Sequence, residues 1–154
     1  MQRRTVIAAA LGAPMLARAH HGWSSFDQTR PLWLEGRVTQ VRWRNPHAEL
    51  VLERAANLTI PADLATRKLP AQSAGVDGAA LLKAAQLPTR QDRSWEIELA
   101  PLTRMEAWKV PEVRVGTTLG VLGFTFTAEK GEAVLRAEYL FLGGQVYGLR
   151  SSPA

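Results

Sequence analysis

Short runs of alternating apolar and polar residues, separated by proline and glycine, constrain this chain most. The first run begins at Pro31, and its apolar phase includes Leu32 and Leu34. A period of two places successive side chains on opposite faces of a β-strand. The apolar phase then slips to Val41 and Trp43, which is typical of a β-bulge. The pattern therefore predicts β-strands over much of the chain.

The same reading gives five to seven short strands and one or two short helices. The clearest strands are predicted at 31–43, 47–53, 95–99, 119–127, 133–141 and 145–149. A helix is predicted after Pro101, because Leu102, Met105 and Trp108 fall on one apolar stripe. This order favours an all-β domain at 31–149, a small OB-like barrel with a helix between its third and fourth strands. A β-sandwich is the alternative.

Residues 56–93 depart from the strand pattern, because three prolines and two glycines punctuate them. They are predicted to form an insertion on one end of the barrel, with a short helix starting at Pro61 and another at Gly78–Leu87. The last five residues, 150–154, are predicted to be a frayed tail.

The first nineteen residues have the composition of a secretory signal peptide. Arg3 and Arg4 precede the apolar stretch Thr5–Leu16, and small residues flank Arg18 before a cleavage point after Ala19. The paired arginines also resemble a twin-arginine signal. Cleavage predicts a periplasmic protein with residues 20–30 as its N-terminal arm and no remaining membrane span.

Composition excludes several functional classes. There is no cysteine, which excludes disulfide scaffolds and thiolate metal sites. The leader carries three of the 19 basic residues and none of the 14 acidic ones, so the mature chain has a net charge of +2. This near balance gives no support for a nucleic-acid partner. No Gly-x-Ser-x-Gly or His-Glu-x-x-His motif occurs, so binding is favoured over enzymatic activity.

Several of these motifs together resemble a known family. They are His20-His21, Gly36-x-Val38, Trp43-x-Asn45-Pro46-His47, the strand at Trp95, the helix at Trp108 and Gly116…Val121-x-Gly123. The combination resembles the DUF6152 type, a family of small exported bacterial proteins with no assigned function. The resemblance implies an exported location and a small β domain, and it supplies no reaction. The insertion at 56–93 departs from shorter members, so nothing is carried over to it.

The three histidines of the chain suggest a metal site. Cleavage after Ala19 would make His20 the N-terminal residue, so its α-amine and imidazole can chelate one ion. His47, after the Asn45-Pro46 turn, is the expected third ligand, and His21, Asp27 or Glu49 could contribute instead. Nitrogen ligands in a tetragonal field suit Cu(II) best among divalent metals. The sequence thus predicts copper-type metal binding or delivery.

Other interpretations stay open. His20 and His21 also fit a solvated chain start, and His47 fits a turn residue. The second functional hypothesis is an OB-like module that binds a periplasmic protein or a glycan without metal, with Trp33 and Trp43 as a ligand platform. Most tryptophans of such a barrel are nevertheless core residues.

Overall fold

Six strands and two short helices make up the regular structure of residues 21–154, the part of the chain that the computed structural model describes. The strands are β1 Leu32–Arg42, β2 Glu49–Arg54, β3 Ser94–Glu98, β4 Thr118–Phe124, β5 Val134–Leu142 and β6 Gln145–Gly148. The helices are α1 Gly78–Ala84 and α2 Leu102–Ala107. The predicted signal peptide and His20 lie outside the described residues.

The first five strands close into a barrel. β1 pairs antiparallel with β2 on one side and with β4 on the other. β2 pairs with β3, β4 pairs with β5, and a parallel β3–β5 pairing closes the ring. β6 adds to the outer edge of β5 as a hairpin. With α2 between β3 and β4, this is the predicted OB-type arrangement, and the closure excludes the alternative sandwich.

The predicted bulge in β1 is present. Pairing with β2 shifts register between Val38 and Gln40, where the apolar phase of the sequence slips. β1 also pairs with β4 as far as Arg37. Near Gly36 it is therefore hydrogen-bonded to β2 on one edge and to β4 on the other. The irregularity lets β1 bend from one side of the barrel to the other.

Inward-facing residues of all five barrel strands form the main core. On β3, Trp95 and Ile97 are fully buried, as their alternation with glutamates predicts. They pack with Leu34 of β1, Val121 of β4 and Leu140 of β5. α2 contributes Met105 and closes this core at one end of the barrel.

The insertion covers an outer face of the barrel, which corrects the expectation that it lies on one end. The outward residues of β1, β4 and β5 there are apolar: Trp33, Leu122, Tyr139 and Phe141. Leu64, in a short 3-10 turn, and Leu82 of α1 pack onto them as a second core. The insertion is placed there because bare apolar surface of this size is costly in water.

The tail at 150–154 is paired, so the prediction of a frayed end is wrong. The Trp108 indole N–H donates to the Ser151 carbonyl at 2.8 Å. Ser73 and Ala154 add backbone hydrogen bonds between the tail and the insertion. These partners are distant in sequence, which is why local composition gave no sign of them.

Candidate functional site

The outer surface over β2 and β3 is the surface that OB-type barrels use for ligands, between the β1–β2 and β4–β5 loops. In this chain the two loops are residues 43–48 and 125–133. We call this surface the β2–β3 face, defined by Glu49 and Val51 of β2, Glu96 and Glu98 of β3, and the two loops. His47 lies at one end of it.

His47 is held closely at this end. Its neighbour Ala48 donates to the Ala100 carbonyl and accepts from the Leu99 N–H, which fixes the backbone against the end of β3. The residue is 8% exposed, and its Nδ1 lies 3.4 Å from Glu49 Oε1.

An arginine holds the same carboxylate from the other side. Arg42 and Glu49 are cross-strand partners at the ends of β1 and β2. The Arg42 Nε donates to Glu49 Oε2 at 2.9 Å, and its Nη2 pairs with Oε1. Arg42, Glu49 and His47 therefore form one contiguous polar group around the β1–β2 loop.

A second buried ion pair lies beside this group. Glu98 is the cross-strand partner of Glu49, and Arg136 of β5 donates to its carboxylate at 3.0 Å. Glu98 and Arg136 are 4% and 7% exposed, so the alternation of β3 misleads if it is read as a solvent-facing side. Each of the two buried carboxylates has its own arginine, which compensates the cost of burying charge.

The N-terminal arm is anchored beside this face, on β4, β5 and the loop between them. Phe26 is buried among Phe124 and Val134, and it stacks on Phe126 at 5.1 Å between ring centroids. The Trp23 ring lies 3.6 Å from the Arg150 guanidinium carbon and 5.0 Å from that of Arg136. These stacking and cation–π contacts hold the arm on the barrel.

His21 packs against this aromatic cluster. Its ring meets Phe126 edge-on at 5.0 Å between centroids and Phe26 at 6.0 Å. Within residues 21–154 no three His, Asp, Glu or Cys side chains cluster as a metal site would require.

The two predicted platform tryptophans do not share a face. Trp33 points out of β1 and is only 1% exposed, because the insertion covers it. Trp43 lies beyond the end of β1 and packs half-buried against the main core. The phase slip in β1 separates them, so no aromatic surface forms from this pair.

A cavity of about 380 Å³ lies beside the insertion instead. Its lining includes Trp33, Phe141, Glu35, Arg67 and the Gly143-Gly144 turn. The Arg67 guanidinium carbon lies 5.8 and 5.5 Å from the centroids of Trp33 and Phe141. The walls thus combine aromatic rings with charged groups, a common composition for small-ligand sites.

Glu129, in the β4–β5 loop, ties three segments together. Its carboxylate accepts hydrogen bonds from the backbone N–H groups of Thr89 and Arg90 and from Arg30 Nη1 at 2.6 Å. Its backbone φ is +54°, in the left-handed region. Burial by itself raises the pKa of Glu129. The hydrogen-bond donors lower the pKa by more than burial raises it, so it lies below its ordinary value.

We expect Glu129→Gln to destabilise the fold by about 2 kcal/mol at neutral pH, because an amide cannot satisfy the same donors. Because its pKa is lower in the folded state, the ionised Glu129 carboxylate stabilises the fold fully above its unfolded-state pKa of about 4.3. This stabilisation is lost as the pH falls through the folded-state pKa. The variant should therefore lose less stability than the wild type on acidification. Urea denaturation at pH 7 and pH 3 measures both effects, with the exposed Glu132→Gln as the matched control. An equal loss of unfolding free energy in Glu129→Gln and Glu132→Gln would contradict the prediction.

Comparison with known proteins gives one match, to a family model that covers part of the chain. A search of curated proteins and a search of solved structures find no match. Among the described residues, no helix is long and apolar enough to cross a membrane. A family model does match, over residues 8–60, which span the predicted leader, the arm, β1, the His47 loop and β2. Over this segment the chain carries the pattern of DUF6152, a family of unknown function, as its motifs predicted.

Proposed function

We propose that this protein is exported to the periplasm, loses residues 1–19, and binds or delivers a copper-type metal ion through His20 and His47. Removal of the leader would give His20 a free α-amine beside its imidazole. These two nitrogens and the His47 imidazole make a three-nitrogen ligand set, which Cu(II) prefers over other divalent ions. The amine has an ordinary pKa of about 8, so copper displaces only a weakly held proton.

The observation that carries this proposal is the anchoring of the arm beside the β2–β3 face. Phe26 and Trp23 hold the chain directly after His21 against β4 and β5, not in free solvent. His47 lies in the loop at one end of the same face. His21 contacts Phe126, so we give it a smaller part than His47 in the proposed ligand set.

Cu(II) titration of protein that begins at His20 tests the proposal. We expect a one-to-one, sub-micromolar site, whose nitrogen couplings in the electron paramagnetic resonance spectrum change in His47→Ala. The affinity should fall by about 100-fold, since loss of a direct ligand costs at least as much as loss of an outer partner. His21→Ala, a change of the same residue type, should cost far less. Weak binding that His47→Ala leaves unaltered would refute the copper site.

A second candidate function follows from the cavity beside the insertion. Trp33, Phe141 and Arg67 line a volume within the range of small-ligand sites. In this alternative the barrel is a module that binds a glycan or a periplasmic protein without metal, and the insertion supplies part of the site. In this alternative, His47→Ala should leave the affinity for the ligand unchanged, whereas Arg67→Ala should lower it.

A further inference from the structure

We infer that Glu49, clamped by Arg42, is a positioning residue that sets the tautomer and orientation of His47. This inference rests on the proposed copper site and identifies the side chains that prepare its third ligand. Glu49 Oε1 faces His47 Nδ1 at 3.4 Å. The negative charge of this carboxylate favours the tautomer with the proton on Nδ1, which leaves the lone pair that a metal ion takes on Nε2.

The Arg42 guanidinium holds the Glu49 carboxylate in one position beside His47. Arg42 engages both carboxylate oxygens, and the two residues are paired across the ends of β1 and β2. The side chains of Glu49 and His47 are 6% and 10% exposed, so solvent screens their interaction little. A planar guanidinium is well suited to this task, because its fork fits both oxygens at once.

The neighbouring carboxylate is tied elsewhere. Glu98, opposite Glu49 across the β2–β3 pairing, accepts a hydrogen bond from Arg136 at 3.0 Å. Glu49 is the carboxylate that lies against His47 Nδ1. Histidines that bind metals commonly donate their second N–H to such a carboxylate, and removal of this partner typically lowers metal affinity by about 10- to 100-fold.

Glu49→Gln tests the inference, with Glu53→Gln as its matched control on the same strand. Glu53 also pairs with an arginine, Arg93, but is paired in register with Ser94, away from His47. We expect Glu49→Gln to weaken Cu(II) binding by about 10- to 100-fold. Glu49→Asp should recover part of this loss, and Glu53→Gln should bind as the wild type does. Circular dichroism before titration confirms that each variant is folded.

A second readout needs no metal. Nitrogen NMR of the metal-free protein reports which ring nitrogen of His47 carries the proton. We expect the Nδ1–H tautomer in the wild type and in Glu53→Gln, and a shift toward Nε2–H or mixed tautomers in Glu49→Gln. An unchanged tautomer in folded Glu49→Gln would overturn the inference. Failure of the wild type to bind copper, with the tautomer shift present, would overturn the proposed function and leave the positioning role standing.

Discussion

Gly36→Ala is expected to lower the free energy of unfolding by about 3 kcal/mol or more. This is a large effect for a substitution that adds a single methyl group. A Cβ at this position would lie far inside van der Waals contact with the Glu53 carbonyl oxygen and 2.8 Å from its carbon. These are backbone atoms of β2, so no flexible side chain can move aside. Gly36 is also where β1 pairs with both β2 and β4, so a shift there disturbs two pairings.

Gly75→Ala is the matched control for this substitution. A Cβ on Gly75 would meet nothing within 4 Å, and the residue is exposed in the insertion. We expect a change within about 0.5 kcal/mol. Thermal and urea denaturation of both variants measure the difference. Similar stabilities for the two variants would mean that β1 and β2 do not approach as closely as described.

Blocking the chain start is expected to weaken copper binding by about 100-fold, because it removes the α-amine of His20 as a direct ligand. The added segment should be alanine-proline ahead of His20. A single residue is unsuitable, because free backbone amides near a new amine can chelate copper with His21. Proline has no N–H and so prevents this. Cu(II) titration of native-start and extended proteins compares the two directly.

The extension also separates the two candidate functions. It leaves residues 21–154 unaltered, so we expect the melting temperature to be unchanged. A module that binds a glycan or a protein at the Trp33–Arg67 cavity should work equally well with the extension. Copper binding of equal strength in both proteins, with His47→Ala still effective, would show that the His20 amine is not a ligand.

The sequence by itself determined most of the barrel. Alternation in short runs predicted β1 and β3, because a period of two is a local property of an extended chain. The phase slip after Val38 predicted the bulge, and the stripe from Leu102 to Trp108 predicted α2 in its place between strands. A combination of motifs indicated the family, and three of them, His20-His21, Gly36-x-Val38 and Trp43-x-Asn45-Pro46-His47, lie within the 8–60 match.

Only the tertiary structure decided which outward faces are covered and which polar groups meet. Trp33 and Glu98 both alternate with core residues, yet one is covered by the insertion and the other is buried against Arg136. Local periodicity cannot distinguish these cases from a solvent-facing residue, because the covering groups come from distant parts of the chain. The docking of the arm is decided in the same way, because Phe26 packs against Phe124, Val134 and Phe126, which are distant in sequence.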